Sequence, residues 1–369
     1  MKKNFENDIL KKLLEDNEIT DISFNGKDIF IQDNVNGRYK LEDEIDVESI
    51  ANYIKQLTYE NNEQFNDENP ILDTEFPNLR VNAVHQSISP FNLTLGLRAS
   101  KPTIRISHYD GSVAPKIVFN LLETCIKSKC NILISGKTGS GKTEMQKYLV
   151  NFINDVDKIV LIEDTMDSHL KELYPNKDIL SWKTNNRISE PINFDDLIKT
   201  ALRNNPDWII VSETRGSEAY SMLKSCLSGH HIITTLHSMD AKSNVERLIH
   251  MCKEKYNLDQ QLLGSMICDN FDIGIHLDYE IDEDGVKRFI SEIVEYVNYG
   301  ENGTVVNPLF KRIVKIKKQG ISYVYDVGYE YGKISKKLFD KLANEKAIND
   351  SIDRFIRKEY YETKNKEIF

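Results

Sequence analysis

The order of apolar and polar residues changes character near residue 106. Before that point, short apolar stretches alternate with turn residues. The Asn25-Gly26 pair separates two such stretches, and it predicts a β-hairpin because a tight hairpin turn needs positive φ at both central residues. In chain order the pattern predicts a helix at 6–14, strands at 19–24 and 29–32, a helix at 47–59, and strands at 78–85 and 93–98.

Beyond residue 116 the chain alternates short apolar strands with helices. Such alternation predicts a mainly parallel sheet that is covered on both faces. The predicted strands lie at 131–135, 158–163, 178–182, 207–212 and 231–236, and the predicted helices at 116–127, 143–154, 194–204, 217–227 and 241–253. After residue 270 the pattern changes to longer strands around a turn at 282–285, followed by a lysine-rich section and a terminal helix.

These elements predict an α/β chain with more than one domain. The stretch at 106–116 contains Gly111, Ser112 and Pro115, which is typical of a linker. We expect a small α+β N-terminal domain at 1–105, the linker at 106–116, an α/β domain at 117–300, and a C-terminal extension of strands and terminal helices at 301–369.

Composition excludes several classes of protein. The 369-residue chain is 40% hydrophobic and carries a net charge of −10, which argues against direct binding to nucleic acid. The apolar stretches at 159–162 and 208–211 are far shorter than the roughly 20 residues that a transmembrane helix needs. The N-terminus shows no signal-peptide pattern, and the five cysteines show no CxxC spacing. We therefore expect a cytoplasmic protein without a transmembrane segment or structural zinc.

The segment ILISGKTGSGKT at 132–143 satisfies the pattern GxxxxGK[ST]. Glycines let backbone N–H groups surround a phosphate, and the N-terminus of the following helix adds partial positive charge. Lys142 is expected to reach the β- and γ-phosphates of ATP, and Thr143 to place its hydroxyl on Mg²⁺. The residues expected to line the nucleotide are Gly136, Lys137, Thr138, Gly139, Ser140, Gly141, Lys142, Thr143 and Glu144.

Two further strands end in carboxylates. Glu213 follows the apolar run of DWIIVSE, and Glu163 and Asp164 follow that of KIVLIEDT. The carboxyl ends of parallel strands meet at one edge of a sheet, where ligands collect. One acid could hold the hydration shell of Mg²⁺ while another orients or deprotonates the attacking water. Each of them taken singly could equally be a surface carboxylate.

Histidines bracket the strand at 231–236. His230 precedes it and His237 follows it. A histidine at such a place could bond a phosphate oxygen, hold a neighbouring carboxylate, or serve the structure alone.

Taken in order, these segments resemble the type II/IV secretion ATPase superfamily, which includes conjugative and Tad-pilus assembly ATPases. SGKTGSGKT resembles its Walker A box, IVLIEDT its Asp box, ALRNNPDWIIVSETRGSEA its Walker B region and SGHHIITTLH its His box. The N-terminal LLEDNEITDISFNGKDIFI and RVNAV are also similar to this superfamily. Three positions depart from its usual pattern: Glu144, Ser212 and His231.

The resemblance implies a RecA-like P-loop core and a role for each matching residue. It implies that Glu163 is the general base and Glu213 the ligand of the Mg²⁺-bound water, or the reverse, with Asp164 as a further water-mediated ligand. His230 and His237 would couple the γ-phosphate to the conformation of the subunit. The arginines that it implies at the site are Arg80 and Arg98 from the N-terminal domain, and Arg203 and Arg215, which could instead position the acidic strand through ion pairs.

The function implied is that of a hexameric motor. ATP hydrolysis would move the N-terminal domains against the cores and drive a membrane-embedded secretion, conjugation or pilus platform from the cytoplasmic face of the membrane. A pilus retraction motor of the same superfamily, a RecA-like nucleic-acid translocase or helicase, and a small-molecule kinase are the alternatives.

Overall fold

Two β-sheets organise the chain. The computed structural model describes residues 9–42, 46–106, 110–185, 189–282, 285–319 and 322–362. Within these ranges, one compact unit comprises the residues up to Pro102 together with Glu280–Lys287, and a second comprises Thr103–Tyr279 and the residues from Arg288 onward. The domain boundaries expected at 105, 116 and 300 stay predictions.

The first unit is built on a six-stranded antiparallel sheet of order β3-β2-β1-β6-β5-β4. Its elements are α1 (Ile9–Glu15), β1 (Ile19–Phe24), β2 (Ile29–Asp33), β3 (Gly37–Lys40), α2 (Val47–Glu60), β4 (Ile71–Phe76), β5 (Leu79–Val84) and β6 (Thr94–Ala99). Helix α2 buries Ile50, Ile54 and Leu57 in the same apolar cluster as the inward side chains of the sheet. The hairpin predicted at Asn25-Gly26 is confirmed as the β1–β2 connection. Its turn spans the four residues 25–28, and of the predicted pair only Gly26 has a positive φ, at +96°.

The second unit alternates strands and helices up to β12. Its elements are α3 (Lys116–Lys127), β7 (Ile132–Gly136), α4 (Lys142–Val150), β8 (Ile159–Glu163), α5 (Leu170–Leu173), β9 (Ile179–Lys183), α6 (Phe194–Ala201) with a 3₁₀ turn (Leu202–Asn204), β10 (Trp208–Val211), α7 (Glu218–Leu227), β11 (His231–Leu236), α8 (Asn244–Lys253), α9 (Gln260–Asn270), β12 (Ile273–Asp282), β13 (Gly285–Gly300), β14 (Gly303–Gln319), β15 (Ser322–Tyr331), α10 (Lys336–Asn344), a 3₁₀ helix (Asp350–Phe355) and α11 (Lys358–Glu362).

The nine strands form one sheet of order β15-β14-β13-β12-β7-β11-β10-β8-β9. The six strands from β9 to β12 in this order pair in parallel, and β13, β14 and β15 pair antiparallel. The predicted α/β class, with a mainly parallel sheet behind a small α+β domain, is confirmed.

Burial on both faces explains why these strands read as continuous apolar runs. In β8, Ile159 and Leu161 belong to one core cluster, whereas Val160 and Ile162 belong to the cluster on the other face. Parallel strands covered by helices on both sides need apolar residues at every position.

Parts of the chain differ from the sequence-based expectation. Helix α9 and strands β3 and β4 were not predicted, and the lysine-rich section is the long strand β14. The central residues of the turn expected at 282–285, and part of the expected linker at 106–116, lie outside the described residues. No helix in the described ranges is both long and apolar enough to span a bilayer.

Candidate nucleotide-binding site

A glycine loop joins the buried strand β7 to helix α4. Gly136, Gly139 and Gly141 have φ angles of +150°, +80° and +93°, which favour glycine. A Cβ at Gly136 would lie 2.3 Å from the carbonyl oxygen of Leu277 and 2.5 Å from Oγ of Ser140. The loop therefore needs glycine for its backbone path, and it ends at the N-terminus of a nine-residue helix.

Lys142 opens α4 and points back into the loop. Its Nζ donates to the carbonyl oxygens of Gly136 and Lys137, both at 3.0 Å. Burial lowers the pKa of Lys142 to about 8, and the negative charge of Glu213 partly opposes this shift. An anion bound in the loop would therefore find a poorly hydrated ammonium group close by, which strengthens their attraction.

His237 connects the loop to the strand-end acid Glu213. Its Nδ1 lies 3.1 Å from the carbonyl oxygen of Gly136 and 3.5 Å from Nζ of Lys142. Its Nε2 lies 3.3 Å from Oε1 of Glu213. The other carboxylate oxygen of Glu213 lies 3.6 Å from Nε of Arg215. Strands β7, β10 and β11 thus deliver interacting side chains to one edge of the sheet, which we name the carboxyl edge.

Glu163 and Asp164 end β8 at the same edge but face different surroundings. Glu163 is 1% exposed, and its Oε1 accepts the backbone N–H of Ser168 at 3.0 Å. Burial raises the pKa of Glu163 to about 7, although hydrogen bonding to Ser168 through that N–H partly offsets the shift. Asp164 instead forms an ion pair with Arg215. Arg215 therefore links the acids of β8 and β10.

Two predicted site residues lie at the opposite edge of the sheet, which we name the amino edge. His230 precedes β11, and its Nδ1 lies 3.1 Å from Oγ of Ser228 and 3.3 Å from the carbonyl oxygen of Ser225. Arg203 lies in the 3₁₀ turn before β10 and is exposed. A strand of six residues separates the two edges by about 20 Å, so neither residue is brought to the glycine loop.

Glu144, expected to line the nucleotide, contacts residues outside the loop. Its Oε2 accepts the backbone N–H of Arg105 at 2.8 Å, and its Oε1 accepts from Nζ of Lys147 at 2.9 Å. Lys147 also donates to the carbonyl oxygen of Thr103 at 3.2 Å. The carboxylate that departs from the usual family residue therefore fastens the segment 103–105 to helix α4.

Arg80 and Arg98 lie directly opposite each other on β5 and β6 of the first unit. Nε of Arg98 lies 2.9 Å from Oδ1 of Asp21, and Nε of Arg80 lies 3.6 Å from Oδ1 of Asp73. Both arginine side chains are about half exposed, at 52% and 42%. They place two neighbouring guanidinium groups, each beside an aspartate, on the face of the small sheet opposite its apolar cluster.

Sequence reasoning missed three side chains that contact the loop or the elements on either side of it. Nε of Arg288, on β13, donates to the carbonyl oxygen of Gly139 at 2.8 Å. Gln146 of α4 donates to the carbonyl oxygen of Val211 at 3.1 Å, which ties the helix to β10. His276 of β12 lies 2.9 Å from Oγ of Ser135. Only the strand order β13-β12-β7 brings Arg288 and His276 here, so no local sequence signal marks them.

The strand order, the glycine loop with its inward lysine, and the strand-end acids define the class of a P-loop ATPase with a RecA-like core. The chain belongs to the family described as type II/IV secretion system protein, whose profile matches residues 72–269, and it is thereby a motor ATPase of the secretion and conjugation class.

Similar proteins cover most of the chain. An uncharacterized protein of Bacillus anthracis is 34% identical over 351 residues, which are 91% of this chain and 75% of the relative. The conjugal transfer protein TrbB of Rhizobium radiobacter is 28% identical over 243 residues, or 64% of this chain and 71% of TrbB. The X-ray structure of the Legionella pneumophila ATPase DotB matches 79% of this chain and 81% of DotB with a TM-score of 0.58. At 19% identity, that last likeness shows the fold alone.

Proposed function

We propose that the chain is the hexameric, ATP-hydrolysing motor of a secretion, conjugation or pilus assembly machine. The observation that carries the proposal is the contact chain from Lys142 through His237 to Glu213 at the glycine loop. The imidazole of His237 joins the lysine that would bind phosphate to the carboxylate at the end of β10. It could therefore respond to a phosphate bound between these two groups.

ATP is the proposed substrate. Its β- and γ-phosphates would replace the loop carbonyls as partners of Lys142, because a charged oxygen is a stronger acceptor than a carbonyl. Oγ of Ser140 is buried in the loop and, among the described residues, has no hydrogen-bond partner. This orphaned hydroxyl fits a loop that is completed by a polar ligand.

Mg²⁺ is proposed to bind beside the phosphates. The described residues contain no cluster of three or more His, Cys, Asp or Glu side chains that could hold a metal. That fits Mg²⁺, which keeps several waters and binds through one or two carboxylates and substrate phosphates. Thr143 would hold it through its hydroxyl, and Glu213 and Asp164 through water. When bound, it would neutralise charge on the phosphates.

Glu163 is the proposed general base, with Glu213 as its alternative. A carboxylate with a pKa of about 7 is a stronger proton acceptor than one with an ordinary pKa, and it is still ionised in about half of the molecules at neutral pH. The backbone N–H of Ser168 fixes its orientation. Glu213, which already contacts His237 and Arg215, is better placed to position water and metal.

The remaining candidate residues are proposed either to support the catalytic acids or to close over the nucleotide. His237 would contact the γ-phosphate and shift Glu213 when that phosphate is bound. Arg215 would hold the acids of β8 and β10 in place. His230 and Arg203 would act indirectly, from the amino edge. Arg80 and Arg98 are proposed to clamp the nucleotide in the assembled ring, since paired guanidinium groups suit a triphosphate.

The motor is proposed to be a ring of identical subunits at the membrane. Six copies would assemble, and the ring would act at the cytoplasmic face of the cell membrane through membrane-embedded platform proteins of the machine. The family membership supports this arrangement, and the net charge of −10 gives no reason to expect direct binding to nucleic acid.

Two substitutions test the function. Lys142→Ala should abolish phosphate release and weaken nucleotide binding, whereas Glu163→Gln should abolish release but leave ATP bound. Lys158→Ala, which alters a lysine just before β8 at the amino edge, is the matched control and should hydrolyse ATP normally. Robust hydrolysis by both site variants would refute the proposed site. Stimulation of hydrolysis many-fold by single-stranded DNA alone would favour a nucleic-acid motor instead.

A further inference from the structure

Strands β14 and β15 extend past the sheet as a two-stranded ribbon. β14 pairs with β13 from Gly303 to Lys311 and with β15 from Phe310 to Gln319. Within the part of the chain that the structure describes, residues 312–319 and 322–329 therefore pair only with each other, and we name them the ribbon. An isolated two-stranded hairpin is marginally stable in water, so a covering surface would stabilise it.

One face of the ribbon is mainly apolar and exposed, with Arg312 and Lys318 at its two ends. The register places Val314 opposite Val327 and Ile316 opposite Tyr325, and alternate residues of a strand share a face. The exposed fractions on this face are 50% for Val314, 62% for Ile316, 66% for Tyr325, 46% for Val327 and 41% for Tyr329. Five neighbouring apolar side chains at this exposure mark an interaction surface rather than scattered surface residues.

The open edge of β15 favours a polypeptide as the occupant. β15 is the outermost strand of the nine-stranded sheet, so its outer N–H and C=O groups face away from every strand described here. Burial of such groups in lipid would leave them without hydrogen-bond partners, which is unfavourable. Another polypeptide can supply those partners through its own backbone or side chains.

The basic residues of the ribbon favour an acidic polypeptide as its partner. The ribbon contains four basic residues, Arg312, Lys315, Lys317 and Lys318, and one acidic residue, Asp326, in a chain whose net charge is −10. The rest of the chain is therefore more acidic than the whole. Two ribbons would repel each other, whereas a ribbon and the acidic remainder of a second copy attract.

We propose that the ribbon docks on a second copy of this chain, as one side of a heterologous contact. Such a contact joins two different surfaces, and it closes into a ring when the rotation between copies permits. The inference rests on the ring assembly proposed above, and it adds the surface that holds neighbouring subunits together. The apolar face supplies the buried area, and the two basic residues that the register places on the same face, Arg312 and Lys318, select the acidic partner.

The test compares the mass of the full-length protein and its variants. The double variant Ile316→Lys/Tyr325→Lys places charge on the two most exposed positions of the apolar face. Because both side chains are largely in solvent, we expect an unchanged circular dichroism spectrum and thermal midpoint. In sedimentation velocity with Mg²⁺ and a non-hydrolysable ATP analogue, the concentration needed for assembly should rise at least tenfold relative to wild type.

A matched control is Val156→Lys, which adds the same charge at a position that is 82% exposed in the turn between α4 and β8. It should assemble like wild type. Equal assembly of wild type and the ribbon variant would overturn the ribbon contact and leave the motor function standing. A wild type that stays monomeric at every concentration would overturn both the ribbon contact and the ring, but not ATP hydrolysis. Binding of wild type, but not of the ribbon variant, to anionic phosphatidylglycerol vesicles without self-assembly would identify lipid as the occupant and overturn the proposal.

Discussion

The ring of His237 bridges Glu213 and Gly136, with one nitrogen 3.3 Å from the carboxylate and the other 3.1 Å from the loop carbonyl oxygen. One partner ends β7, and the other follows β10. The role that we propose for this bridge is to transmit the state of the nucleotide from the loop carbonyl to the acid.

We therefore expect His237→Ala to uncouple binding from turnover. Since Lys142 and the glycine loop remain, the affinity for a non-hydrolysable ATP analogue should change by less than about threefold, while kcat falls by about tenfold to a hundredfold. Steady-state phosphate release and equilibrium titration measure the two quantities. The exposed His250 of α8 provides the control, since His250→Ala should alter neither. A proportional loss of affinity and kcat would count against the bridging role.

Arg288→Ala is expected to weaken nucleotide binding about fivefold. The substitution removes the hydrogen bond to the carbonyl oxygen of Gly139, worth about 1 kcal/mol, and so loosens the loop. Arg288→Lys should not restore affinity, because lysine has no Nε donor held in a planar guanidinium. Titration with a fluorescent ATP analogue measures the change, and Arg247→Ala on α8 is the matched control. Full rescue by lysine would show that charge alone, without this contact, supports binding.

His231 should make the fold sensitive to acid. It pairs with Trp208 across β10 and β11, and burial, followed by the charges of Lys341 and Lys129, lowers its pKa from 6.5 to about 4. The unfolded chain therefore binds the proton more tightly, so stability is present above pH 6.5 and is lost as pH falls toward 4. The loss between pH 8 and pH 5 is about 2 kcal/mol.

Urea denaturation of the metal-free protein at a series of pH values measures this slope. His231→Gln should flatten it in that window, whereas His250→Gln at the exposed site on α8 should leave it as in wild type. An unchanged slope in His231→Gln would assign the acid sensitivity to other groups.

Gly264→Ala should destabilise the second unit although alanine favours helices. A Cβ on this residue of α9 would lie 2.2 Å from the ring of Tyr299, which is closer than any side-chain contact allows. Overpacking of this kind costs about 1–3 kcal/mol, more than the roughly 1 kcal/mol gained in helix propensity. The urea midpoint should fall, and a Tyr299→Ala background should reduce the effect. Gly111→Ala, where no heavy atom lies within 4 Å, should be nearly neutral.

Sequence reasoning succeeded where local pattern and fold agree. Strands β7, β8, β10 and β11 were predicted to within about two residues, because burial on both faces makes each an unbroken apolar run. It failed where tertiary packing decides. In α9, Gly264 and the polar residues around it obscure the apolar pattern of a helix that packs on Tyr299. The alternating lysines of β14 obscure a strand, because they belong to a solvated ribbon.

The residues of the site also divide into those that local sequence pattern places and those that only tertiary packing places. Lys142, Glu213 and His237 follow strands with clear patterns, so their convergence at one edge could be anticipated. The placement of His230 at the other edge could also be derived, since it precedes the strand that His237 follows. Arg288 could not be found, because its contact depends on β13 lying two strands away from β7 in the sheet.

The burial of the cysteines makes the unmodified chain a suitable background for thiol labelling. All five cysteines are free and buried, and burial raises the pKa of Cys252 and of Cys268 to about 12. A thiol that is both inaccessible and protonated reacts slowly with maleimides. A single cysteine introduced at Val156, in a turn at the amino edge, would therefore carry a dye selectively and would stand a full strand length from the reacting phosphates.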